Sequence, residues 1–166
     1  MAEPKVCVSL EGITVDEMID EANRANIAGA DYVEVRFDKL YLIKPEPTIT
    51  ENEDGEKISK MPPETEWAVK DFEEIDISES ISALKEAIPV PVIFTARPVR
   101  EGGFFAGNEE QRLDVLSEAI KSEVSFIDLE LSIDEKIREK LHADASDSGC
   151  KVIASYHDSS STPSAD

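Results

Sequence analysis

Cysteine is scarce in this chain, and long hydrophobic runs are absent. Only Cys7 and Cys150 occur in 166 residues, and no Cys-x-x-Cys pair is present. Two thiols cannot form the disulfide framework of a small secreted protein, so we expect reduced cysteines in a cytoplasmic protein. No apolar run approaches the roughly 20 residues of a membrane-spanning helix. The amino terminus also lacks the layout of a secretory signal.

Positive charge is equally limited, with 17 Lys and Arg against 37 Asp and Glu and a formal net charge of −20. Nucleic acids and anionic membranes are bound through basic patches, and this chain has no cluster of Lys or Arg. We therefore expect neither a nucleic-acid partner nor a membrane partner. The sequence also lacks GxGxxG and Walker loops, which disfavours nucleotide binding. An anionic small molecule would require a local cationic pocket, and Arg36, Arg97 and Arg100 are candidates for it.

Five short β-like segments alternate with four amphipathic helical segments. The β-like segments are residues 5–10, 30–38, 91–97, 125–131 and 151–158. Capping residues and apolar spacing predict helices from Thr14 to about Gly29, from Ser78 to about Ile88, after Asn108 (with Leu113, Leu116, Ile120 and Val124 buried), and from Asp134 to Gly149. Strands that alternate with single helices predict a parallel sheet with right-handed connections.

Residues of about 40–76 interrupt this alternation and are rich in Pro, Glu and Asp. Asp54-Gly55 predicts a turn, and a weak hairpin is predicted between residues 57–61 and 67–72. We predict one domain over residues 1–166, with this segment as a loop and hairpin excursion on the scaffold.

Polar side chains occur at alternate positions near the carboxyl end of each β-like segment. They are Ser9, Glu34, Arg36, Thr95, Arg97, Asp128, Glu130 and His157. Strands that helices cover on both faces are normally continuous apolar runs, and buried charges are costly unless they are paired. The repetition indicates one shared polar centre at the carboxyl ends of the strands. This favours a (β/α)8 TIM barrel over a doubly wound sheet.

The barrel predicted from this chain is incomplete. Five strands correspond to roughly strands 1–5 of eight, and a full barrel needs about 250 residues. Thr162-Pro163 begins a helix with no helix behind it, which is expected of a truncated barrel. Because the first and last strands would have exposed edges, we expect self-association, for example as a homodimer, or poor solubility.

His157 is the strongest acid–base candidate, because imidazole titrates near neutrality. Glu101 lies on a loop that can approach His157 and orient its ring. The other histidine, His142, lies on a helix beside Asp144 and is predicted to be on the surface. The pattern therefore predicts a His–Glu pair at the mouth of the sheet.

The charged residues of the second and third strands have two interpretations. Glu34 and Arg36 share one face and form either an interior ion pair or a clamp for a carboxylate or hydroxyl-rich ligand. Arg97 is a planar donor next to a Gly-rich loop that can close over a ligand. Ser9 either packs in the interior or donates a hydrogen bond to substrate.

Asp128 and Glu130 also have alternative roles. They could support the residues around them. Together with Glu34 and His157 they could instead bind Mg²⁺ or Mn²⁺, since oxygen-rich sites with one histidine suit these metals.

Four segments, DYVEVRFD, PVIFTARPVREGG, SFIDLEL and VIASYHDSSSTP, closely resemble type I 3-dehydroquinate dehydratases in order and spacing. The resemblance runs from the first strand to the last residue. It implies a (β/α)8 barrel and a hydro-lyase of the shikimate pathway, which leads to chorismate and the aromatic amino acids. The implied reaction converts 3-dehydroquinate to 3-dehydroshikimate and water, without metal or cofactor.

The resemblance also implies residue roles. In the family a lysine forms a Schiff base with the substrate ketone, which acidifies the adjacent C–H. His157 would take that proton and help the hydroxyl leave, and Glu101 would orient His157. The implied substrate-binding residues are Ser9, Glu34, Arg36 and Arg97.

One departure from the family pattern is the Schiff-base lysine, which lies on the strand after the SYHD segment and thus beyond Asp166. No lysine of this chain replaces it, so we expect the chain alone to be inactive. Two alternatives stay open. One is a ligand-binding or regulatory module that lost the lysine, and the other is a metal-dependent barrel aldolase or epimerase.

Overall fold

A computed structural model describes residues 4–51, 56–158 and 161–162. Within these residues the strands are β1 (Cys7–Ser9), β2 (Tyr32–Arg36), β3 (Leu42–Ile43), β4 (Thr48–Glu51), β5 (Lys57–Lys60), β6 (Ala68–Val69), β7 (Val92–Thr95), β8 (Phe126–Glu130) and β9 (Lys151–Ser155). The α-helices are α1 (Val15–Ile27), α2 (Ile77–Ala87), α3 (Glu109–Lys121) and α4 (Glu135–Ser148).

Five strands form one parallel sheet in the order β1-β2-β7-β8-β9. A helix lies between each consecutive pair of these strands along the chain, so the sheet grows in one direction, as in a TIM barrel. The barrel is not closed, because β1 and β9 are the two edges of the sheet. The predicted fold class, an α/β barrel that is incomplete after five strands, is confirmed.

The helix ends follow local capping chemistry, with one correction. Thr14 accepts a hydrogen bond from the Glu17 amide and caps α1, and α3 and α4 begin at their predicted caps. The predicted cap of α2, Ser78, is wrong. Asp76 has an extended backbone and its carboxylate accepts the Glu79 amide, so the helix begins two residues earlier. Within the described ranges, no helix is both long and apolar enough to span a membrane.

The core lies between one face of the sheet and the four helices. The sheet contributes Val33, Val35, Phe94, Ile127 and Leu129, and the helices contribute Met18, Ala22, Ile81, Leu84, Leu116, Ala119 and Ile120. This arrangement leaves the alternate, polar side chains of the strands on the opposite face. Tyr156 is 57% exposed, because β9 ends at Ser155 and the alternation stops there.

The segment at 40–76 contains two short antiparallel pairs rather than the predicted hairpin. The strands β4 and β5 pair with each other, and β3 pairs with β6. The β-branched residues of Thr48–Glu51 provide the partner that 57–60 needs, and 68–69 pairs with 42–43 instead. The predicted Asp54-Gly55 turn and Pro163 lie outside the described residues.

Candidate active site

His157 and Glu101 meet at the carboxyl end of the sheet. His157 follows β9, and its Nδ1 atom lies 3.1 Å from Oε2 of Glu101, which is on the loop between β7 and α3. The two side chains are 30% and 6% exposed. In a neutral ring with its proton on Nδ1, this contact leaves Nε2 free to accept a proton. The geometry therefore suits a general base that a carboxylate orients.

Glu101 is itself held by its neighbours. The Ser132 hydroxyl, in the turn after β8, donates a short hydrogen bond to Oε1 of Glu101, and Arg100 donates to Ser132 at 3.1 Å. Burial acts to raise the pKa of Glu101, but the hydrogen bonds from Ser132 and His157 outweigh it and leave this pKa below its ordinary value. Glu101 is therefore a fixed anion beside His157. Ser132 was not identified from the sequence, where it is an ordinary turn residue.

Glu34 is the centre of a second cluster. Its Oε2 atom accepts a hydrogen bond from Ser9 at 2.6 Å, and its Oε1 atom accepts one from Thr95 at 2.9 Å. The Nη2 atom of Arg97 lies 3.7 Å from the same Oε1 atom. Three of the four predicted binding residues, on three neighbouring strands or their ends, are thus in contact.

Arg36 has a different partner from the one predicted. Its Nε and Nη2 atoms donate to the two oxygens of Asp38 at 2.9 and 2.7 Å, and no direct bond to Glu34 is among the described contacts. The strand ends at Arg36, and the chain enters a short 3-10 segment that brings Asp38 back to Arg36. The ion pair therefore forms between residues two apart at the strand end.

Four buried polar atoms at this end have no hydrogen-bond partner among the described residues. They are Nε of Arg97, Oδ1 of Asp128, Oε1 of Glu130 and Oγ of Ser155. Burial raises the pKa of the Asp128 carboxyl above its ordinary value. Such unpaired groups cost stability in an empty site and are available to a polar ligand.

Glu130 is not part of this polar face. Oε2 of Glu130 accepts a hydrogen bond from Nη1 of Arg112 at 2.7 Å, and both side chains are 1% exposed. The proposed metal set of Glu34, Asp128, Glu130 and His157 is therefore dispersed among separate partners. Among the residues that the structure describes, no three His, Cys, Asp or Glu side chains are arranged to hold a metal ion. The predicted surface position of His142 is correct.

The lysines near the sheet are not placed to attack a ligand beside His157. Lys39 is buried between Glu11 and Glu64. Lys151 begins β9, at the opposite end of the strand from His157, and its Nζ atom lies 5.3 Å from the centre of the Phe126 ring. Both positions agree with the expectation that neither supplies a Schiff base.

The buried carboxyl of Asp128, whose pKa burial raises despite a nearby Ser155 hydroxyl, gives a stability prediction. A folded-state pKa above the unfolded value means that the ionised carboxylate destabilises the native state at neutral pH. We expect Asp128→Asn to stabilise the protein at neutral pH by about 0.5–2 kcal/mol, as is common for replaced functional groups. The gain should shrink as the pH falls through the raised pKa toward the ordinary value of 3.8. Urea unfolding at several pH values measures this, and an equal effect at all pH values would refute the explanation.

Comparison with known proteins gives one family. A family model for type I 3-dehydroquinase matches residues 6–166. A 3-dehydroquinate dehydratase of Desulfotalea psychrophila is 32% identical over 162 residues, which are 98% of this chain and 55% of that protein. The 3-dehydroquinate dehydratase of Methanopyrus kandleri is 28% identical over 159 residues, 95% of this chain and 55% of the relative. The chain thus spans about half the length of the curated relatives it matches.

Solved structures agree on the fold. The 3-dehydroquinate dehydratase of Enterococcus faecalis superposes with a TM-score of 0.72 at 22% identity, covering 99% of this chain and 57% of that one. The type I enzyme of Clostridium difficile gives the same TM-score at 24% identity, covering 98% and 54%. Because the family model matches almost the whole chain, the chain belongs to the type I 3-dehydroquinase family.

Proposed function

We propose that this chain supplies the five-strand portion of a type I 3-dehydroquinate dehydratase, a hydro-lyase of the shikimate pathway. The observation that carries the proposal is the His157–Glu101 pair at 3.1 Å, beside a face that contains Glu34 and Arg97. TIM-barrel enzymes bind their substrates at the carboxyl ends of the barrel strands. In this chain, that end of the sheet contains a general base and an anion-binding group.

In the proposed reaction, Nε2 of His157 takes a proton from the carbon next to the substrate ketone. The lysine that converts this ketone to an imine lies outside the chain, as the family pattern implies. His157 then returns the proton to the departing hydroxyl, so one water molecule leaves and a C=C bond forms. Glu101 stabilises the imidazolium between these two steps, because its carboxylate accepts from Nδ1.

The proposed substrate is 3-dehydroquinate, a small hydroxylated carboxylate. Arg97 has an unpaired buried Nε, which suits a carboxylate or a hydroxyl of the substrate. Arg36 contributes further positive charge, and Ser9 and Glu34 can exchange hydrogen bonds with hydroxyl groups. We propose a cytoplasmic protein without nucleic-acid or membrane partners, and self-association through the open sheet edges, for example as a homodimer.

The proposal is tested on the chain itself with 3-dehydroquinate and borohydride. We expect saturable binding by calorimetry, no turnover, and no covalent adduct by intact mass, because Lys39 is held by Glu11 and Glu64 and Lys151 lies at the opposite end of β9 from His157. A stable adduct would contradict the placement of the lysine outside this chain. Absence of both binding and adduct would contradict the proposed function. A ligand-binding module that lost its lysine would bind equally, but would stay inactive when the remaining strands of a relative are joined to it.

A further inference from the structure

Asp38 is a buried carboxylate that satisfies four donors from three separate parts of the chain. It is 0% exposed. Its Oδ1 atom accepts from Nε of Arg36 at 2.9 Å and from the Arg97 amide at 3.2 Å. Its Oδ2 atom accepts from Nη2 of Arg36 at 2.7 Å and from the Phe104 amide at 3.0 Å. A buried charge is tolerated only when it is paired and hydrogen-bonded in this way.

The two backbone donors flank one turn of the loop between β7 and α3. Arg97 precedes this turn, Phe104 follows it, and Glu101 lies between them. The turn is closed by the Gly103 amide, which donates to the Pro98 carbonyl at 3.0 Å. A Cβ atom on Gly103 would lie 2.0 Å from the Arg97 carbonyl oxygen, so the two sides of the turn are in close contact.

Asp38 therefore joins three groups that a ligand at this site would need together. It fixes the guanidinium of Arg36, the backbone amide of Arg97 before the turn that carries Glu101, and the backbone amide of Phe104 after that turn. The contact of Glu101 with His157 depends on the position of this loop, because the loop carries Glu101. Asp38 makes no described hydrogen bond to His157 or Glu101, so any effect on them must pass through Arg36 and the loop.

We infer that Asp38 is a positioning residue. Its buried carboxylate holds Arg36 and the loop that carries Glu101 in place, and this allows Glu101 to contact His157. The importance of Asp38 for catalysis rests on the proposed function, but its role in fixing Arg36 and the loop does not. The expected substrate class is an anion that Arg36 and Arg97 bind while His157 transfers a proton.

The test replaces Asp38 by Asn, which keeps the shape but offers only one acceptor oxygen and turns an NH₂ group toward existing donors. We expect the amide that faces the new NH₂ group, that of Arg97 or that of Phe104, to exchange with solvent about fivefold faster, which corresponds to the loss of one hydrogen bond of about 1 kcal/mol. We also expect the neutral His157 ring to lose its preference for a proton on Nδ1, as seen in ring ¹⁵N shifts, because Glu101 moves away.

A matched control separates positioning from general destabilisation. Asp76→Asn changes a helix cap in the same manner, and the described hydrogen bond of Asp76 is to the Glu79 amide and not to the loop. Asn caps helices as well as Asp does. It should leave the exchange of the Arg97 and Phe104 amides and the His157 tautomer unchanged. The inference is overturned if Asp38→Asn also leaves all of these unchanged, or if Asp76→Asn changes the His157 tautomer equally.

If Asp38→Asn does not fold, amide exchange in the wild-type protein tests the inference. The Phe104 amide should then be protected to within about tenfold of the β7 amides, whereas exchange at the rate of an exposed loop overturns the inference. None of these measurements uses substrate. Failure to bind 3-dehydroquinate would therefore refute the proposed function and leave the role of Asp38 intact. Conversely, unchanged amide exchange and His157 tautomer in Asp38→Asn would refute the role of Asp38 and leave the proposed function intact.

Discussion

Replacing Arg112 by Met is expected to lower the free energy of unfolding by about 3–5 kcal/mol, because it leaves Glu130 as an uncompensated buried charge. Arg112 donates to Glu130 at 2.7 Å, to the Ala96 carbonyl at 3.1 Å and to Glu109 at 2.8 Å. It therefore ties α3 to the carboxyl ends of β7 and β8, where the candidate site begins. Urea unfolding at neutral pH measures the effect.

Two control variants distinguish a lost charge pair from lost packing. The double replacement Arg112→Met with Glu130→Leu should recover much of the loss, since no unpaired charge stays buried. Glu109→Gln should cost far less, because that side chain is 41% exposed and solvent screens its charge. Burial raises the pKa of Glu130, so the penalty in Arg112→Met should shrink in acid. A double variant as unstable as the single one would show that packing dominates.

Arg97→Met is expected to weaken binding of 3-dehydroquinate about 10- to 100-fold, which corresponds to one charge-assisted hydrogen bond. Arg97 is the predicted binding residue with a buried, unpaired donor atom. Calorimetric titration of the wild-type chain and the variant measures the ratio of dissociation constants. The variant should stay folded, because its 3.7 Å contact with Glu34 is the longest in that cluster.

Arg24→Met is the matched control for Arg97→Met. Arg24 is exposed in the last turn of α1, so its loss changes the net charge by the same amount without touching the sheet. We expect unchanged affinity. Equal weakening by both variants would mean that the overall charge of −20 governs binding, and an unaffected Arg97→Met would remove Arg97 from the binding site.

The sequence was sufficient for the parallel sheet because each local signal agreed with the overall pattern. Caps such as Thr14 and Asn108 marked helix starts, and polar residues at the strand ends pointed to one common edge. The approach of Glu101 to His157 followed from the same reasoning, since the segments that follow β7 and β9 leave the same edge of the sheet, with only β8 between them.

The partner of Arg36 could not be predicted in this way. If the strand had continued, Glu34, Arg36 and Asp38 would have shared one face with equal spacing. The strand stops at Arg36, and only the three-dimensional turn after it decides that Asp38 rather than Glu34 makes the ion pair.

Arg112 was missed although the predicted stripe of α3 is largely confirmed, with Leu116, Ile120 and Val124 all buried. The apolar spacing indicated Leu113 as part of the buried stripe, but Leu113 is only partly buried while Arg112 is 1% exposed. A charged residue counts against burial in any such pattern unless its partner is known. Here the partner, Glu130, comes from a strand 18 residues away.

The most direct test of the central claim is an NMR titration of the wild-type chain with 3-dehydroquinate, followed at its two histidines. The account predicts saturable shifts of the His157 ring and of the Nε resonance of Arg97, with no change at His142. Absence of any shift at His157, or equal shifts at both histidines, would contradict the claim that His157, Glu101 and Arg97 form one substrate site.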